Sequence, residues 1–374
     1  MSSERICAHI NLSNIEKNMD CFKALIDPNT KIMAVIKADG YGHGAVKIAE
    51  RIEGLPYLFG FAVATAEEAI ELREANVKKP ILVLGYTFKE DYKTLIENDV
   101  RMAVFSDEML KEISVAAKDI SKKALVHVKL DTGMSRIGIQ PNEEGIKFVK
   151  SVSECEDVIL EGMFTHLARA DEYDKTKANN QIDKYNEFIS KIEAININIP
   201  IKHVSNSASI IELPHANLDM VRAGITLYGL WPSNEVDKSI TPLYPALKLV
   251  SHVSFVKDLE EGREISYGGT YVTDGVKRIA TIPCGYADGI PRGLSNKGYV
   301  LIHGKKARIT GRVCMDQFMV DVSDIDDVKV RDEVVIIGTQ GSEIITAEEV
   351  GDISGRFNYE LVCDISKRVP RVYE

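Results

Sequence analysis

The sequence predicts an α/β protein, a (β/α)8 TIM-type barrel followed by a mostly β C-terminal domain, on three observations. Eight short strand-like runs alternate with segments of helical spacing up to about residue 225; beyond residue 245 the runs are short, β-rich and divided by Gly and Asp turns. A length of 374 residues also exceeds what one growing core usually serves, so two domains are expected. Strands that alternate with helices imply βαβ units and a parallel sheet, and eight such units are what a barrel needs. A doubly wound sheet is the competing arrangement.

The eight runs are residues 31–38, 57–64, 80–86, 101–105, 124–130, 158–165, 201–204 and 220–225. Between them, Ala66, Ala69 and Ile70, and later Ile182, Tyr185, Ile189 and Ile192, recur at the 3.6-residue period. Residues 231–245 hold Pro232, Pro242 and Pro245 without periodicity, which marks a boundary. The barrel is therefore assigned to residues 10–238, and the β-rich domain to 239–374, joined by residues 1–9. Runs at 247–257, 278–283, 299–302, 307–309, 318–322 and 333–337 supply its strands.

The composition, 45% hydrophobic and 27% charged, is that of a globular protein, and no apolar run is long enough for a membrane span. The opening residues lack the basic and apolar regions of a signal peptide, so a cytoplasmic location is expected. A formal charge of −10 without a Lys/Arg tract argues against nucleic acid or anionic membrane as a partner. The six cysteines and eight histidines show no metal-ligand spacing, and no metal is expected.

In residues 34–44, AVIKADGYGHG, a run buried on both faces delivers Lys37 at its carboxyl end and then breaks into glycines. An ammonium there lies at an opening, is ion-paired, or is neutralised by chemistry. By itself the window equally allows a lysine that merely ends a strand. Lys129 and Arg136 bracket a Gly-containing loop that reads alone as a solvated ion-pair loop, and His166 alone reads as a structural histidine. Ser207 and Gly224 follow the last two strands, where barrels often hold phosphate. Residues 265–271, ISYGGTY, read alone as a β-turn.

Taken together, these windows resemble the alanine racemases, in order, from about residue 31 to 360. The resemblance implies that Lys37 carries pyridoxal 5′-phosphate covalently and that Tyr41, Ser207, Gly224, Ile225 and Tyr359 bind its phosphate. Arg136 would lie beside the cofactor's phenolic oxygen and the substrate carboxylate, and Lys129 is a position that some members carbamylate. The pattern FTHLARAD at 164–171 would set His166 near the cofactor, hydrogen-bonded to an arginine. Arg222 would face the pyridine nitrogen and keep it unprotonated, which favours prompt reprotonation of the substrate carbon over transamination.

From the second domain, Tyr267 would be a second base reaching the partner subunit's cofactor, so a homodimer with shared sites is implied. Two-base racemisation needs acid–base groups on opposite faces of the substrate carbon, Lys37 serving the D-enantiomer and Tyr267 the L-enantiomer. The windows PCGYADGIPR at 283–292 and GRVCMD at 311–316 add Tyr286 as a gate, Met315 as a backbone donor to the substrate carboxylate, and Asp316 at the entry. Tyr359 would narrow the pocket toward alanine. The implied activity is racemisation of L-alanine to D-alanine for peptidoglycan. Rival readings are a related racemase for serine or a basic amino acid, a decarboxylase of this architecture, and a non-catalytic binding protein for the cofactor. Departures are peripheral: residues 5–11, RICAHIN, replace a tryptophan-containing start, and Ala223 precedes the phosphate glycine.

Overall fold

The structure, a computed structural model, describes residues 5–374, which divide into two compact units. One holds Glu16–Gly40 and Ala45–Leu243; the other holds the described residues up to Ile15, Tyr41–Gly44 and Tyr244–Glu374. Strand β1, Ile6–Ile10, belongs to the second.

Strands β2 (Lys31–Val35), β3 (Leu58–Val63), β4 (Ile81–Val83), β5 (Val100–Val104), β6 (Ala124–Lys129), β7 (Val158–Phe164) and β8 (Ile201–His203) hydrogen-bond in chain order. Strand β9 (Met220–Ala223) returns to pair with β2, all of these ladders being parallel. The Arg222 N–H donates to Ser205 O at 3.1 Å and bridges β8 to β9, so the barrel is nearly closed. All eight expected strands form, mostly shorter than the apolar runs that announced them. Ile32, Met33 and Ala34 are fully buried, as a strand covered on both faces requires, and burying each large aliphatic contributes about 2 kcal/mol. The intervening helices are started by side-chain caps, for example Ser106 accepting from Met109 N at 3.2 Å and Asn142 from Gly145 N at 3.0 Å.

The second unit is built on a ten-stranded sheet. Strand β1 sits inside it, antiparallel to Leu247–His252 and parallel to the C-terminal Arg371–Tyr373. The expected run 247–257 is split at Val253–Ser254 into Leu247–His252 and Phe255–Leu259. Those halves take different partners: the first pairs with Glu333–Gln340, the second with Lys277–Ile282. A break lets one apolar run serve both.

Candidate active site

Strand β2 ends at Val35, two residues before Lys37, and the expected glycine turn is a left-handed one. Ala38, Asp39, Gly40, Tyr41 and Gly42 have φ of 51°, 51°, 60°, 50° and 79°. Each non-glycine residue there costs about 1–2 kcal/mol, so the turn persists only because its surroundings hold it. The Ala38 N–H donates to Glu68 Oε1 at 2.6 Å, the Gly40 N–H to Ile36 O at 2.8 Å, and the Ala45 N–H to Asp39 Oδ1 at 2.9 Å. The turn stops the strand so that half-buried Lys37 projects from the carboxyl edge of the sheet, where barrels carry their chemistry.

Around that edge the first unit gathers positive charge. Burial first, then Arg222, Arg136, Lys129 and Lys37, push the His166 imidazole well below its ordinary pKa. One neutral ring thus has two arginines and two lysines near it, a setting that suits a multiply anionic ligand. Lys129 is 3% exposed, donates from Nζ to Leu130 O at 2.9 Å and lies 5.3 Å from the Phe164 ring centre. Burial and the Arg222 charge bring its pKa down to about 7, against the pull of Asp131.

Arg222, on β9, is fully desolvated, and burial lowers its pKa to about 10, still cationic at neutral pH. Nη1 donates to His203 Nδ1 at 3.0 Å and to His203 O at 2.9 Å; Nη2 donates to Thr165 O at 2.7 Å and Val204 O at 2.9 Å. Both guanidinium NH2 groups are thereby spent within the barrel, and these bonds leave Nε–H for a ligand. The imidazole bonded to Arg222 is that of His203; the arginine bond that the resemblance implies for His166 names no particular arginine.

The arginine has no acceptor role, so His203 Nδ1 must accept and its Nε2–H must donate to His127 Nδ1 at 2.8 Å. His127 Nε2–H then donates to Glu161 Oε2 at 3.0 Å, and Arg101 grips that carboxylate through Nε and Nη2, each at 3.0 Å. Burial raises the Glu161 pKa, but the bonds from His127 and Arg101 outweigh it and leave the group at about 2. A half-buried carboxylate is therefore linked to Arg222 through two neutral imidazoles. None of His127, His203, Glu161 and Arg101 was singled out from sequence. A signal existed in Gly162, a glycine inside a strand. A Cβ at Gly162 would lie 2.6 Å from His127 Nδ1, so only glycine lets the ring cross β7.

Ser207 opens the helix Ser207–Glu212, and Gly224 caps the short helix Ile225–Tyr228. Ser207 Oγ accepts from Gly224 N at 2.9 Å and from Thr226 Oγ1 at 3.0 Å, so two helix starts are tied side by side. Their first N–H groups lack intrahelical acceptors, which is the donor set a phosphate takes. Ser207, Gly224 and Ile225 thus come together as one cradle. The residues present fit a phosphate-bearing, aldehyde-carrying pyridine: an amine at the strand edge, a donor at Arg222, and a phosphate-type cradle.

In the second unit, Tyr41 meets Tyr359 edge to face at 6.1 Å, and Tyr359 stacks on Phe357 at 4.4 Å. Gly42 is pressed against the helix Asn358–Cys363, where a Cβ would come 2.2 Å from Val362 O. Tyr267 stands on a turn entered at positive φ by Ser266, whose Oγ donates to Arg312 O at 2.6 Å. The Tyr286 N–H donates to Cys314 O, and the Ala287 N–H to Met315 O, each at 3.0 Å. Tyr286, Met315 and Asp316 are therefore held on two loops lying edge to edge. Tyr267 is 71% exposed, Met315 53% and Tyr286 44%.

The models for the alanine racemase N-terminal and C-terminal domains match residues 10–232 and 246–373. An alanine racemase of Methanococcus maripaludis is 44% identical over 375 residues, covering all of both chains. One of Desulforamulus reducens is 46% identical over 370 residues, covering 99% of each. Among solved structures, alanine racemase of Clostridium difficile 630 superposes with a TM-score of 0.95 at 45% identity, covering 99% of this chain and 96% of that one. The Bacillus anthracis enzyme with bound L-Ala-P does so with a TM-score of 0.93 at 36% identity, covering 100% and 96%. With both domain models matched in order and relatives this close along the full length, the chain belongs to the alanine racemases and is an amino-acid racemase, an isomerase.

Proposed function

We propose that the protein interconverts L- and D-alanine with pyridoxal 5′-phosphate by a two-base mechanism, in a homodimer with shared sites. The observation that carries the cofactor assignment is Arg222, whose NH2 groups are spent on the barrel and whose Nε–H remains. When bound, the cofactor acidifies the substrate Cα–H by withdrawing its electrons. Lys37 would hold the cofactor, Ser207, Gly224, Ile225, Tyr41 and Tyr359 its phosphate, and Arg136 its phenolic oxygen and the substrate carboxylate, with His166 beside the ring. A permanently cationic Arg222 donates rather than accepts a proton, so it limits electron withdrawal and favours return of the proton to carbon.

Proton transfer falls to Lys37 on one face of the substrate and to Tyr267 of the partner subunit on the other. The 71% exposure of Tyr267 on its own protomer supports a role outside that protomer. Tyr286 would gate the entry and Asp316 line it. No helix of the described residues is long and apolar enough to cross a membrane, and none of the six cysteines is in a disulfide. Both facts accord with a cytoplasmic enzyme, whose D-alanine would serve peptidoglycan. Circular dichroism of L-alanine, L-serine and L-lysine with cofactor-loaded protein tests the reading. The alanine signal decays to zero and the others change far more slowly; decay of serine or lysine alone would move the specificity, and decay of none would leave a binding protein.

Lys129 is the candidate for carbamylation. A pKa of about 7 leaves much of the amine neutral at physiological pH, and only the neutral amine adds CO2. At fixed dissolved CO2, the carbamate carbon signal in 13C NMR of protein equilibrated with labelled CO2 increases as pH rises through about 7, and is absent from Lys129→Ala. A signal equal in both proteins, or electron density with no added atoms on Lys129, would end this assignment.

A further inference from the structure

We propose that Asp288 is a positioning residue for the substrate carboxylate, acting through two arginines and the Cys314–Asp316 loop; this rests on the reading of the Met315 N–H as a carboxylate donor. Asp288 closes the short helix Tyr286–Asp288 and its side chain is fully buried. A carboxylate so placed is costly unless every lone pair is used. Here five N–H groups converge on it. Arg5 donates from Nη2 to Oδ1 at 2.8 Å and from Nη1 to Oδ2 at 2.9 Å; Arg368 donates from Nε to Oδ1 at 2.7 Å and from Nη2 to Oδ2 at 3.2 Å. The Gly285 N–H completes the set at 2.9 Å. Burial works to raise the carboxyl pKa, but these bonds hold it below the usual carboxylate value.

The two arginines lie far apart in the sequence, and Arg368 alone of them bonds to the loop with Met315. Arg368 extends Nη2 to Asp316 Oδ1 at 2.6 Å. On the other side of Asp288, the Tyr286 and Ala287 N–H groups donate to Cys314 O and Met315 O, and Gly285 lies so close that a Cβ would sit 2.2 Å from Cys314 O. The Cys314 N–H closes its own turn onto Gln317 O at 2.9 Å. Met315 is therefore pinned before and after its peptide by groups that all trace back to one carboxylate. A buried ion cluster is a poor way to add stability, since apolar residues of like volume do as well or better. What it adds here is direction: the N–H of Met315 and the phenol of Tyr286 are referred to the same fixed point.

Steady-state kinetics of cofactor-loaded wild type, Asp288→Asn and Arg368→Gln test this, with propionate, which is alanine without its amine, as a probe of carboxylate binding alone. In Asp288→Asn the KM for alanine and the Ki of propionate rise together by about 10-fold while kcat stays within about 3-fold, because ground-state and transition-state binding lose the same contact. Arg368→Gln keeps the Arg5 grip and shows the same paired rise at about 3-fold, which preserves the test should Asp288→Asn fail to fold. Unmoved KM and Ki in a folded variant, with kcat falling only as the folded fraction falls, would overturn the proposal and leave Asp288 a structural anchor. A wild type that racemises nothing overturns the functional reading and this proposal together; a racemising wild type with unmoved variants overturns this one alone.

Discussion

Replacing Lys37 by Ala lowers alanine racemisation by about 10,000-fold or more, roughly 5 kcal/mol of barrier, because one substitution removes both a covalent anchor and an acid–base group. The rest of the site stays in place. Arg222 is held by His203, Thr165 and Val204, and Ser207 by Gly224 and Thr226, none of which involves the lysine side chain. The variant therefore still takes up pyridoxal 5′-phosphate, with lower affinity. Borohydride reduction followed by peptide mapping reads this separately from activity: wild type carries the cofactor's mass on the peptide with Lys37, and Lys37→Ala carries none. Retention of a tenth of wild-type activity would remove Lys37 from the mechanism, and a reduced adduct on Lys129 would relocate the anchor.

Tyr267→Phe has a different signature, set by symmetry. The enantiomers of alanine have equal free energy, so any loss in kcat/KM must be equal in the two directions, and racemisation rates alone cannot tell which face lost its base. Exchange of the Cα proton with solvent can. Removing a general base costs about 100- to 10,000-fold, so racemisation and exchange from L-alanine in D2O both fall by that order. Exchange from D-alanine, which needs only Lys37, continues. Proton NMR of each enantiomer in D2O follows the two exchanges independently. Equal exchange from both enantiomers would sink the assignment of faces, and unchanged racemisation would sink the role of Tyr267.

Much of the barrel was legible because its information is local. A run such as residues 32–36 reads as a strand covered on both faces, and its lysine is found by reading to the end of that run. The motif residues were likewise recognisable as short windows in order. Among these windows the structure brings Lys37, Lys129, Arg136, His166 and Arg222 near one another, and joins Ser207 to Gly224 and Ile225.

Only the tertiary structure decided the rest, because it depends on contacts between residues far apart in the chain. Which imidazole serves Arg222 is settled by β8 lying beside β9, and the path through His127 to Glu161 by a missing Cβ on β7. The left-handed turn after Lys37 is unfavourable for Ala38, Asp39 and Tyr41 taken singly, and exists because groups such as Glu68 hold it. The first strand enters a sheet made by the last third of the chain, and Asp288 draws Arg5 and Arg368 to one carboxylate. Period and composition determine which segments are strands and helices, since those follow from near neighbours along the chain. Tautomers, shared counter-ions and the aim of a backbone N–H follow from neighbours in space, and only the folded chain supplies them.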